Sequence, residues 1–128
     1  FDSYSCLGTC LPGRIMEVRR QLAQIRPNVT TGVTGFTLTS STPFVIDLIN
    51  IVNVGTSQCE VSIFHDVDGI IFDETTALVW RHILRPSEIL CYEEYISGFS
   101  SSENVGVQCS VADGANFTIY GTIPKERL

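Results

Sequence analysis

Along most of the chain apolar and polar residues alternate with a period of two. Residues 59–64 set Cys59, Val61 and Ile63 against Glu60 and Ser62, and residues 105–111 set Val105, Val107, Cys109 and Val111 against Gly106, Gln108 and Ser110. Alternation of this kind marks strands buried on one face. Further strands are predicted near 36–39 and over 44–54, 70–72, 77–84, 89–96 and 116–123. The 44–54 run is apolar on both faces, Val45, Ile49 and Ile51 against Phe44, Ile46, Leu48, Val52 and Val54, broken only by Asp47, Asn50 and Asn53. It predicts a central strand covered on both sides. In 77–84, Leu78, Trp80, His82 and Leu84 share a face. Turn residues separate these runs: Gly55-Thr56-Ser57, Asp66-Val67-Asp68-Gly69, Arg85-Pro86-Ser87 and the hairpin marker Asp113-Gly114. Short strands with turns about every ten residues predict an all-β fold, an antiparallel sandwich of jelly-roll or immunoglobulin-like type.

Before residue 36 the period changes. Ile15, Val18, Leu22 and Ile25 recur at three- and four-residue steps, after Pro12-Gly13 and before Arg26-Pro27. This predicts a short amphipathic helix over 14–25, stopped at Arg26 because proline disfavours helix at the residue before it. An extended arm is the alternative, since so short a helix is marginal without a partner. Residues 28–42 are rich in Thr, Ser and Gly and read as loops. The expected organisation is an N-terminal arm and linker over 1–35, a sandwich over 36–123 and a tail over 124–128.

Composition fits one folded domain. Of 128 residues, 44% are hydrophobic and 17% charged, enough apolar material for a core and too little charge for disorder. No run approaches the roughly 20 apolar residues of a membrane span. The opening Phe1-Asp2-Ser3-Tyr4 is not a leader, so no signal peptide is expected, and a start at Phe1 fits a processed terminus or a missing true start. The net charge of −6 argues against a nucleic-acid partner, which needs a basic footprint. The charge is uneven. Residues 1–26 hold four arginines against Asp2 and Glu17, a balance of +2; the remainder holds four basic and twelve acidic residues, a balance of −8. A mildly basic arm precedes an acidic body.

Candidate chemistry changes this picture little. The two histidines, His65 and His82, have no nucleophile elbow and no orienting carboxylate around them. Glu93 and Glu94 are adjacent on a strand and point to opposite faces, so they cannot flank one bond. Asp66, Asp68, Asp73 and Glu74 resemble part of a calcium loop but lack its twelve-residue frame. Asn28-Val29-Thr30 and Asn116-Phe117-Thr118 match the glycosylation sequon. No catalytic group, metal or cofactor is expected. Five cysteines are an odd number, so at least one is free or paired between chains. Cys59, Cys91 and Cys109 lie in alternating runs and read as small buried hydrophobes. Cys6 and Cys10 lie in a Gly-rich stretch and are open to a short-loop disulfide, a cross-link to a neighbour, or metal ligation.

Several short motifs resemble small virion proteins of tailed bacteriophages. Residues 20–27 (RQLAQIRP), a Thr-rich link and residues 36–39 (FTLT) are similar to their opening. Residues 49–56 (INIVNVGT) and 59–63 (CEVSI) are similar to their Asn-Thr-Gly turn and the strand after it. Residues 85–90 (RPSEIL) sit where members have another turn, and 107–112 (VQCSVA) with 117–121 (FTIYG) are similar to their closing hairpin. The likeness covers residues 20–122. It implies a non-enzymatic structural component located in the virion, either a capsid decoration or cement protein or a tail or baseplate piece. Its partners would be other virion proteins and copies of itself. It carries no fixed site residues.

The arm is then the expected partner-binding part. Ile15, Val18, Leu22 and Ile25 would supply apolar contacts, and Arg14, Arg19 and Arg20 would steer. Cys6 or Cys10 would cross-link subunits. A lectin-like module that binds a glycan or receptor is the alternative, with Tyr92, Tyr95, Phe99 and Trp80 as its candidates, although Trp80 is expected in the core.

Overall fold

The fold is that of a computed structural model, which describes residues 16–36, 43–98 and 103–125. Nine strands and no helix occur among them: β1 (Met16–Ile25), β2 (Thr34–Phe36), β3 (Phe44–Asn53), β4 (Cys59–Asp66), β5 (Ala77–Leu84), β6 (Ile89–Tyr92), β7 (Ile96–Gly98), β8 (Asn104–Cys109) and β9 (Ala115–Lys125). Sheet A runs β1-β9-β3-β6, with β7 also on β3; sheet B runs β2-β8-β4-β5. Every pairing is antiparallel. The order is nested. β1 pairs with β9, β2 with β8, β3 with β6 and β7, and β4 with β5. A ribbon folded on itself in this way, with successive pairs falling alternately into two facing sheets, is a jelly roll.

The inner faces make one core. Ile46, Ile49 and Ile51 of β3 and Phe117 and Ile119 of β9 meet Val61 and Ile63 of β4 and Val105, Val107 and Cys109 of β8, all fully buried. Each large side chain buried this way contributes about 1.5–3 kcal/mol. Gly121 of β9 lies opposite Ile46, and a Cβ there would overlap the Val45 carbonyl oxygen. Only glycine lets these two central strands close.

The predicted helix over 14–25 is, from residue 16 on, strand β1; residues 14 and 15 lie outside the described residues. Ile25 stands opposite Phe117, Ala23 opposite Ile119 and Val18 opposite Ile123, with a register slip between Gln21 and Ala23. A bulge inserts one residue and converts a two-residue step into a three- or four-residue spacing. That is how a strand comes to imitate a helical stripe. Leu22, Ala23 and Ile25 are half-buried against the core.

A second slip lies in β3 between Ile46 and Leu48. It switches the inward residues from Phe44 and Ile46 to Ile49, Ile51 and Asn53. Two apolar faces read from the sequence are therefore largely one face with a phase change, and the outer side of β3 is not deeply covered. The predicted 89–96 strand breaks at the same level: β7 pairs with 44–46 and β6 with 49–52. The predicted 70–72 strand is instead loop. Asp66 folds it back by accepting hydrogen bonds from the Ile70 and Ile71 N–H groups at 2.7 and 2.8 Å.

Candidate functional site

One end of the sandwich gathers the loops after β1, β3, β5 and β8. Asn53, at 1% exposure the most buried polar side chain described, ties together the loops after β3 and β5. Its Nδ2 donates to the carbonyls of Ser57 (3.0 Å) and Leu84 (2.9 Å), and its Oδ1 accepts from Gly55 N–H (2.9 Å). Its backbone N–H donates to Glu88 and its carbonyl accepts from Ser87. Beside it Val54 N–H donates to Gly114, and Asp113 N–H to Pro27. A fully satisfied buried amide of this kind rigidifies its surroundings. The sequence signal was a polar residue interrupting an apolar strand just before Gly55.

The outer face of sheet B carries a second, smaller apolar cluster. Phe64 is buried outside the main core, with the Phe72 and Trp80 rings packed edge-on at 6.1 Å each. Gly106 makes the room, since a Cβ there would meet Val33 and, at 3.0 Å, the Phe72 ring. Trp80 is not in the core as expected; it remains 45% exposed, because it caps Phe64 at the edge strand. The Arg81 guanidinium lies over the indole, 4.9 Å from its centroid, and occupies one of the faces a sugar would need.

Arg81 has φ 50, a left-handed conformation that costs energy in any residue with a Cβ. The Ser62 hydroxyl accepts its N–H at 3.0 Å and helps hold it. This irregularity in β5 puts Val79, His82 and Leu84 opposite core residues of β4 and Ile83 opposite Glu60, so the predicted grouping of Leu78, Trp80, His82 and Leu84 on one face does not hold. A polar depression of about 150 Å³ lies beside it, lined by Thr30, Glu60, Ser62, Arg81, Gln108 and Ser110. A second, of about 300 Å³, lies between β1 and β9 around Arg26, whose Nε donates to Asn116 Oδ1 at 2.6 Å.

In the acidic loop over 66–76, Asp66 and Asp73 spend their carboxylates on the loop itself. The Ile71 and Ile70 N–H groups hold the Asp66 carboxyl below its ordinary pKa, and the Thr75 hydroxyl and N–H do the same for Asp73. No group of three or more His, Cys, Asp or Glu side chains is placed to hold a metal among the described residues. Ser62 serves Arg81, and His65 Nε2 lies 3.4 Å from Glu103, so the Ser62–His65–Asp66 neighbours do not form a nucleophilic relay. Glu93 and Glu94 are both exposed.

The expected partner-binding residues are placed as follows. Arg19 Nε donates to Asp47 at 2.9 and 3.2 Å, and its guanidinium lies 5.4 Å from the Tyr120 ring centroid. The Asp47 hydrogen bond raises its pKa. Leu22 and Ile25 face the chain's own core, Arg20 is exposed, and Val18 pairs through its backbone with Ile123. Arg14, Ile15, Cys6, Cys10 and Phe99 lie outside the described residues. Cys59 and Cys109 are buried and free, as expected. Cys91 is exposed, because β6 directs it to the outer face of sheet A beside Asn50. Tyr95 is 80% exposed between β6 and β7, while Tyr92 is half-buried against the core, so these tyrosines and Trp80 belong to different sheets.

No protein-family model matches the chain, and no curated protein matches it. Solved structures do. The coat protein of Tobacco streak virus, in a structure of its dimer, superposes with a TM-score of 0.52 at 14% identity, over 93% of this chain and 91% of that one. A second crystal form of the same coat protein gives a TM-score of 0.40 at 16% identity, over 88% and 89%. The likeness is one of fold.

Proposed function

We propose that the chain is a non-enzymatic structural subunit of a virus particle, acting through contacts with copies of itself and with other virion proteins. The observation that carries this reading is the nested jelly-roll winding, matched over nearly the whole chain by a viral coat protein. The arrangement of side chains is consistent with it: Asp66 and Asp73 serve their own loop, the buried amide serves turns, and the exposed apolar residues are spread over loops, edge strands and outer faces. The segment ahead of β1, with Arg14 and Ile15, is the part of the expected arm proposed to reach a neighbour, since Arg19, Leu22 and Ile25 are engaged within the fold. Cys6 or Cys10 is proposed to cross-link subunits.

The short phage-like motifs favour a narrower origin, a tailed bacteriophage, with the chain as decoration protein or tail component; the winding favours a place in the particle wall. Mass spectrometry of purified particles, with head and tail fractions separated, tests both. The chain is expected in the head fraction at the copy number of a wall or decoration subunit. Recovery in tails alone would move it to a tail role, and absence from particles would end the virion reading.

A further inference from the structure

A sheet edge presents unpaired N–H and C=O groups, and soluble proteins shorten, charge or cover such edges. Sheet A ends in β1 on one side and in β6 and β7 on the other; sheet B ends in β2 and β5. β2, β6 and β7 are short, of three, four and three residues. β1 is long but exposes Arg19, Arg20, Gln21 and Gln24. β5 alone among these is both long, at eight residues, and apolar at its surface. It exposes Leu78 (40%), Trp80 (45%) and Ile83 (51%) beside Arg81 and His82.

The charges along this edge are ordered. Asp73 and Glu74 lie just before β5, while Arg81 and Arg85 lie in and just after its far half. Those two arginines are the only Lys or Arg between residues 27 and 124. The edge therefore has a negative head, an apolar middle and a positive tail. Two such edges laid antiparallel match head to tail twice, whereas a parallel arrangement opposes like charges. A surface complementary to itself after a half-turn is what a twofold contact requires. By residue count, an overlap centred on Val79 keeps inner and outer faces in phase, sets the exposed Leu78 of each copy opposite the exposed Trp80 of the other, and brings Arg85 of each copy to the Asp73–Glu74 end of the other.

We infer that β5 is a homodimerisation edge, and that its partner is β5 of a second copy, antiparallel across a twofold axis, joining two four-stranded sheets into one. The contact needs no particle and forms in dilute solution, so it stands or falls separately from the virion reading. Sedimentation analysis of the full chain under reducing conditions tests it. A dimer is expected, weakened by added salt. Glu74→Arg or Arg85→Glu alone should weaken it about tenfold or more, and the two together should restore it. Trp80→Lys should give monomer, and Ile83→Lys serves the same purpose if that variant fails to fold. Hydrogen exchange in β5 should slow on dimerisation. A wild-type chain that stays monomeric overturns the inference. So does a dimer indifferent to Trp80→Lys or Ile83→Lys, or one that the double charge exchange does not rescue.

Discussion

Replacing Asn53 by alanine would strip hydrogen-bond partners from two carbonyls and one N–H group at the loop-bearing end of the sandwich. Unpaired buried groups cost about 1–3 kcal/mol each, and partial access to water lowers the sum. A loss of about 2–3 kcal/mol in urea unfolding is expected for Asn53→Ala; a loss below about 0.5 kcal/mol would mean the amide joins nothing that matters. The cysteines divide just as sharply. Burial, and then the neighbouring Cys109 thiol, pushes the Cys59 thiol up to about 12, so at neutral pH it is protonated and unreactive. Among the cysteines of the described residues, native-state alkylation followed by peptide mapping should label Cys91, with Cys59 and Cys109 labelled only after unfolding. Rapid native labelling of Cys59 would show that the start of β4 opens.

At the scale of elements, the loop over 66–76 owes its shape to ionised Asp66. Its carboxyl pKa is lower folded than unfolded, so near pH 4 the unfolded chain binds more protons. The stabilisation is full above the ordinary aspartate value and is lost as pH falls through the lower folded value. Protection of the Ile70 and Ile71 amides, taken relative to the unstructured-chain exchange rate at each pH, should fall as pH drops through that acid range, and in Asp66→Ala it should be lost already at neutral pH; pH-independent protection in the wild type would refute the role. The Arg19–Asp47 pair is a lesser matter, exposed enough to contribute at most about 1 kcal/mol. What could be read of these elements from sequence follows one rule. β4 and β8 pair with each other without a slip, and their alternation was plain. The misread strands, β1 as a helix, β3 as buried on both sides and β5 with the wrong face, all lie at register slips, although β4 and β9 share those slips and were still legible as strands. A bulge belongs to a pair of strands, so the sequence of one strand does not announce it. The surface chemistry was less legible still. Asn53 read only as an interruption, and the exposure of Trp80 depends on Phe64, Gly106 and Phe72 meeting across three segments.

At the scale of the whole molecule, the sandwich was readable because seven or so runs shared one period, while the winding was not, since alternation fixes faces and leaves partners open. The winding has a consequence in time. Because the first strand pairs with the last, β1 leaves the ribosome some ninety residues before β9 begins at Ala115. At synthesis rates of about 5–20 residues per second, Leu22, Ala23 and Ile25 wait several seconds for Phe117 and Ile119. β3 waits as well, for β9 lies between it and β1. The nascent chain thus holds an incomplete sheet A until β9 has been made, and a ribosome that stalls before residue 115 releases two sticky edges in place of a fold. The last strand acts as the clasp of the whole molecule, and a cell that makes this protein in quantity must guard the interval before it closes.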